Sequence, residues 1–241
     1  MTTQTNIPAQ TQKATLNKDG VKRIITVFAV IFLYGVLLFA SAGRLTWIWA
    51  WVYLGIYTAV LVVNAVVILR TNPEVVNERG RTPEDQKGWD KIIVRIFTSL
   101  TLASMILAGL DAGRFGWSSM PLWLHLAAIP VAVFAYIIII WTMMHNDFLS
   151  QKVAVQTERG HTVASTGPYR YVRHPMYTSM MLGSMATPLI LGSWWMYIPV
   201  VLSILVFIIR TALEDRTLQE ELDGYQAYAQ TVRYRLIPGV W

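Results

Sequence analysis

The chain has no cysteine, which excludes disulfides, thiolate metal ligands and a cysteine nucleophile and leaves the redox compartment open. Charge is scarce as well: 14% of its 241 residues are Asp, Glu, Lys or Arg, while 54% are hydrophobic. Soluble domains carry about 25% charged residues, so this is the balance of an integral membrane protein. Motifs are missing too. No G-x-G-x-x-G follows a strand pattern, and neither G-x-x-x-x-G-K-[ST] nor H-E-x-x-H occurs. G-x-S-x-G is absent, which disfavours a lipase-like nucleophile elbow. His125, His145, His161 and His174 lack metal-ligand spacing, so no metal site is expected. There is no internal repeat or low-complexity tract.

What is present is a series of long apolar runs. A membrane helix needs roughly 20 mostly apolar residues, and four stretches meet that need, at about 24–42, 45–69, 92–110 and 121–144. A fifth uncharged run, 177–209, is too long for one helix and is broken by Pro188 and by Gly192-Ser193. It reads as a hairpin of two short helices, roughly 16 residues each. The expected fold class is therefore all-α, a polytopic transmembrane protein of about six membrane segments whose last two form a short helical hairpin, with no Rossmann domain.

Basic residues set the expected orientation. Six crossings put the N-terminal tail, the loops 70–91 and 145–176 and the C-terminus on one side, with only Arg44 and Arg114 in loops on the other. The positive-inside rule makes the crowded side cytoplasmic. The net charge of +6 then reports topology and contact with anionic lipid, not nucleic acid. Residues 1–21 are polar, with Lys13 and Lys18 and no apolar core, and read as a disordered cytoplasmic tail rather than a signal peptide. Trp47, Trp49, Trp51, Trp117, Trp123, Trp194 and Trp195 fall near helix ends, where an interfacial belt accounts for them.

The polar chemistry collects in two places. The first loop, RTNPEVVNERGRTPEDQKGWDK, mixes both charge signs and reads as a solvated connector or as a cap over a site built elsewhere. The second loop, from Asn146, ends in GPYRYVRHPMY, where Gly167-Pro168 and His174-Pro175 fix the backbone at the membrane surface. Arg170, Tyr171 and Arg173 read as interfacial anchors; Tyr169, His174, Pro175 and Tyr177 read as one wall of a pocket. In the last membrane helix Arg210 and Glu214 are four apart and share a face. They form either a boundary ion pair, worth a few tenths of a kcal/mol when exposed, or the opposite wall of that pocket. Leu218, Leu222, Tyr225 and Tyr228 follow with near-helical spacing, as an amphipathic helix lying on the membrane or over the loop.

The string Q-x-x-x-x-H-T-V, then G-P-Y-R-Y-V-R-H-P-M-Y, then a short hairpin and R-x-x-x-E-[DE], resembles the isoprenylcysteine carboxyl methyltransferase family and its relatives, the phospholipid methyltransferases. The likeness covers about residues 146–241, including the ending G-Y-x-x-Y-x-x-x-V-x-Y-R-L-I-P-G, and N-P-E-V-V-N-E-R-G looks like bacterial members of the group. It divides the chain into a tail (1–21), four transmembrane helices (22–145) and a methyltransferase core (146–241). The resemblance implies S-adenosyl-L-methionine as cofactor, with S-adenosyl-L-homocysteine as product. Gln156, His161, Thr162, Val163, Ala164, Tyr169, His174, Pro175, Met176, Tyr177 and Glu214 would contact the cofactor. Arg210 would be the catalytic, substrate-binding residue. Asp215 stands where the family has a second acid.

These residues suit the chemistry. A carboxylate can answer the donor's ammonium, and His, Arg or backbone N–H its carboxylate. A carboxylate acceptor is already ionised and needs no base, so Arg210 could orient it through a two-pronged hydrogen bond. An amine acceptor would need Glu214 or His174 as base. The readings carried forward are carboxyl O-methylation of a lipophilic or lipid-attached acceptor, N-methylation of an ethanolamine phospholipid, and a binding protein that keeps the pocket without turnover. A nicotinamide-dependent membrane reductase is a more distant alternative.

Overall fold

A computed structural model describes residues 15–81 and 86–241, which form eight α-helices and no strand. The first is α1, Lys18–Ala42, capped by Asn17, whose side-chain oxygen accepts the Gly20 N–H at 3.0 Å. Residues 18–21, expected in the tail, are thus helical, while residues 1–14 lie outside the described residues. The chain continues through α2 (Ile48–Thr71), the short α3 (Pro73–Gly80) and α4 (Gly88–Ala108), which runs on as a π-helical segment, Gly109–Phe115. Then come α5 (Leu122–Met144), α6 (Pro175–Leu191), α7 (Tyr197–Glu221) and α8 (Tyr225–Thr231).

Among the described residues, five helices are long and apolar enough to cross a membrane: α1, α2, α4 with its π-helical extension, α5 and α7. Large apolar side chains such as Phe32, Val63, Phe134 and Leu205 point outward, as the lipid-facing surface of a multi-pass membrane protein requires. The 17-residue α6 is shorter, about 26 Å at ~1.5 Å per residue. It nevertheless runs the length of its neighbour: at the turn after α6, a Cβ added to Gly192 would sit 2.8 Å from the His125 ring near the start of α5. Gly192 is held at φ 80°, where glycine has no steric cost. The expected hairpin therefore exists, but its second arm is not short. Helix α7 has 25 residues, because it continues past the uncharged run into Arg210–Glu221.

Small residues, among them Ala50, Ala108, Ala128, Ala132 and Ala186, let the helices approach closely in the main core. The end of the bundle at the α6–α7 turn is sealed around Asp111. Its Oδ2 accepts hydrogen bonds from the Ser118 and Ser193 hydroxyls, each at 2.6 Å. The tryptophan belt needs one correction. Trp51, Trp117, Trp123, Trp194 and Trp195 are exposed, but Trp47 is buried in the core and Trp49 stacks on His125 with centroids 4.0 Å apart.

Candidate active site

At the opposite end, the second loop folds back against α4, α7 and α8 and encloses a cavity of about 350 Å³, within the usual range for small-molecule sites. Backbone geometry shapes the wall. Gly167 has φ 57°, and an added Cβ would meet the His145 ring at 2.6 Å, so only glycine fits the turn that opens GPYRYVRHPMY. Pro175 is the first residue of α6 and starts that helix where the loop ends.

One buried carboxylate holds this wall to α7. Asp215 Oδ1 accepts Arg173 Nε at 2.7 Å and the Tyr225 hydroxyl at 3.0 Å, and lies 3.2 Å from His174 Nε2. Its Oδ2 accepts Arg173 Nη2 and Gln219 Nε2, both at 2.9 Å, and Arg235 Nε at 2.8 Å. Arg173 also donates to the Val232 and Arg233 carbonyls at 2.8 and 2.9 Å. The tail is sewn on by backbone bonds, Arg173 N–H to the Tyr234 carbonyl and His174 N–H to the Arg235 carbonyl, each 2.9 Å. Arg173 is therefore no interfacial anchor; it is 6% exposed and fully engaged. Arg170 and Tyr171 do remain exposed.

Arg210 is braced in a similar way. Its Nε donates to Asp90 Oδ1 at 2.9 Å, its Nη2 to the Gln151 carbonyl at 2.8 Å, and its guanidinium lies 5.3 Å from the centroid of the Tyr177 ring. Asp90 is fully buried and also accepts the Val153 N–H at 3.1 Å and Gln86 Nε2 at 2.9 Å. The alternative of an Arg210–Glu214 ion pair is not realised: among the described residues Arg210 pairs with Asp90 across 120 positions of sequence. Glu214 is left facing the cavity, accepting the Tyr177 hydroxyl at 2.5 Å, with His174 Nδ1 4.0 Å away and, among the described residues, no lysine or arginine paired to it.

Most of the residues singled out in the sequence come together here. His161, Thr162, Val163, Ala164, Tyr169, His174, Met176, Tyr177, Arg210 and Glu214 all line the cavity. Two do not. Pro175 is buried at the start of α6, and Gln156 turns away, its amide donating to the Phe148 carbonyl at 2.9 Å and accepting Arg159 Nη1 at 2.5 Å. Gln156 instead shapes the turn that presents His161: its N–H donates to His161 Nδ1 at 3.3 Å. The His161 ring stacks on Phe148 with centroids 4.5 Å apart. Burial, followed by the Arg159 cation, lowers the His161 pKa to about 4, so at neutral pH the ring is uncharged. With Nδ1 accepting, its proton sits on Nε2. Burial likewise pushes the Tyr169 and Tyr225 phenols up, so both stay protonated.

Asn146 and Phe148 had no motif to announce them, while Leu218, Leu222, Tyr225 and Tyr228 follow the reading of an amphipathic stretch packed over the loop. Asn146 donates to the Tyr169 hydroxyl at 2.8 Å, and Phe148, Leu218, Leu222, Tyr225 and Tyr228 add apolar and aromatic surface. Helix α3 decides between the two readings of the first loop. It is a cap rather than a solvated connector: Arg159 reaches Glu74 and Glu78 at 3.4 Å each, and Arg79 lines the cavity. The signals were local, Pro73 at the first helical position, Glu74 in the first turn and Arg79 in the last.

Residues 122–223 match the family model for phospholipid methyltransferases. The span runs from the start of α5 to just beyond α7 and so contains the second loop and both arms of the hairpin. Where the two overlap, over about residues 146–223, the resemblance read from the sequence is borne out, and the match supports a membrane methyltransferase. Comparison with curated proteins returns no match.

Proposed function

We propose that the chain uses S-adenosyl-L-methionine to methylate a lipophilic acceptor, most simply at a carboxylate, from the side of the membrane that is cytoplasmic by its basic loops. The observation that carries this reading is Glu214, a carboxylate facing an aromatic-lined cavity with no lysine or arginine paired to it among the described residues. The donor's ammonium supplies that missing charge. The residues present fit the rest of the molecule: His161 offers Nε2–H to its carboxylate, and Phe148, Tyr169 and Tyr228 offer surfaces for its base. When bound, the sulfonium supplies an activated methyl group.

The chain's own residues would then position and desolvate. Phe97, Phe207 and Met180 line the cavity towards the bundle interior and exclude water, which strengthens every electrostatic contact inside. With an acceptor that is already an ionised carboxylate, these residues would need only to orient its oxygen towards the donor's methyl group. No proton moves, so no base is required. Arg210 retains two N–H groups on Nη1 for an acceptor, while Asp90 and the Gln151 carbonyl hold its Nε and Nη2. It is thus pre-oriented, and most of its benefit is positional.

The phospholipid methyltransferase match favours a second reading, N-methylation of an ethanolamine lipid. Glu214 or His174 would then have to accept a proton. Methyl transfer from labelled donor to lipophilic acids and to ethanolamine lipids separates the two: product from acids with flat activity above neutral pH is expected. Product from ethanolamine lipids alone would replace the first reading with the second.

A further inference from the structure

A second cavity, of about 340 Å³, adjoins the first, and Arg79, Gln151, Met176 and Met180 line both. Its walls come from α1, α2 and α5 and are strongly apolar, with Val27, Phe28, Val60 and Leu61 among them. Two cations interrupt this surface. Arg23, on the first turns of α1, and Arg79, in the last turn of α3, are both half-buried. Among the described residues, neither forms an ion pair or a hydrogen bond, in contrast to Arg173 and Arg210. The packing of α3 on α1 keeps them together, since Gly80 lies so close to α1 that an added Cβ would overlap the Asp19 carbonyl. The two guanidiniums feel each other: burial, followed by the Arg23 cation, lowers the Arg79 pKa to about 9. Two like charges in a partly desolvated, apolar cavity are unfavourable unless an anion is there to answer them.

We propose that Arg23 and Arg79 form an anion-binding subsite for the acidic headgroup of an amphiphile whose hydrocarbon lies in the groove between α1, α2 and α5. Both residues fall outside the span that matches the phospholipid methyltransferases. The shared chemistry is a carboxylate or phosphate attached to an apolar chain. Where the two cavities meet, such a headgroup reaches Arg79 from one side and the Arg210 and Glu214 cavity from the other. Calling the amphiphile the methyl acceptor rests on the function proposed above; its binding does not.

Binding of probes to the full-length, detergent-solubilised protein tests this without turnover. Calorimetric titration uses lauric acid and dodecyl phosphate as anionic probes and methyl laurate as a neutral one of matched chain. Wild-type protein should bind at least one anionic probe about tenfold or more tightly than methyl laurate, and Arg79→Gln and Arg23→Gln should each reduce that preference about tenfold. Arg79→Lys should recover part of it. Which anionic probe binds decides between a carboxylate and a phosphate. Failure of both anionic probes to bind wild-type protein more tightly than methyl laurate would overturn the proposal, as would an undiminished preference in both Gln variants. A parallel titration with S-adenosyl-L-methionine keeps the two readings apart: an acid preference that depends on Arg79 in a protein that does not bind the donor removes the methyltransferase reading and leaves the subsite standing.

Discussion

The two sides of the paired cavities treat arginine differently. On the side of α7, each guanidinium has a buried carboxylate: Asp215 for Arg173, Asp90 for Arg210. On the side of α1 and α3, Arg23 and Arg79 have none among the described residues. A paired buried arginine is a brace, and removing its partner leaves an uncompensated charge. An unpaired one beside a cavity is available to a ligand. Arg173 only holds the site together; Arg210 is braced by Asp90 and still turns its Nη1 to the cavity, while Arg23 and Arg79 face their cavity unbraced.

Breaking the braces should have the largest effects. Asp215→Asn leaves Arg173 and Arg235 without their anion and loosens the loop, α7 and the tail at once. A loss of about 3–5 kcal/mol is expected, read as a fall in thermal unfolding midpoint in detergent; an unchanged midpoint would mean that the network is peripheral. Asp90→Asn and Arg210→Gln should each destabilise, and the double variant should cost less than their sum, with a coupling of about 1–3 kcal/mol. Additive effects would show that Arg210 is held by something other than Asp90. Arg210→Lys should impair transfer to a carboxylate more than to an amine, because an ammonium cannot keep both the Asp90 contact and a planar donor pair for the acceptor.

A smaller effect concerns His161. The unfolded imidazole protonates near pH 6.5 and the folded one only near about 4. The folded chain therefore binds fewer protons across that window, and stability should fall as pH drops from about 6.5 towards 4. Unfolding midpoints followed against pH should show this slope in the wild type and a flatter one in His161→Gln; identical slopes would place the His161 ring in water.

The architecture was legible because membrane spans are announced by length and apolarity, and those signals are local. The hairpin shows where that stops. Counting uncharged residues ends a helix at Ile209, yet α7 runs to Glu221, since its charges at Arg210 and Asp215 are answered inside the fold by residues 120 and 42 positions away. The same long-range pairing hid Arg173, which beside a membrane segment looks like an anchor. Gln156 lies outside the cavity lining for the opposite reason: a motif position carries a residue's identity, while beside the turn at Gly160 its amide donates to the Phe148 carbonyl. The cavity wall from His161 to Ala164 and from Tyr169 to Tyr177 was legible because glycine and proline fix its path.

The most direct test is a calorimetric titration of S-adenosyl-L-methionine into wild-type, Glu214→Gln and Arg79→Gln protein in one detergent. Wild-type protein should bind, Glu214→Gln about tenfold more weakly through the lost charge-assisted contact, and Arg79→Gln with affinity close to wild type. No binding by folded wild-type protein, or an equal loss in both variants, would contradict the assignment of the donor to the Glu214 cavity and of the amphiphile's anionic headgroup to Arg23 and Arg79.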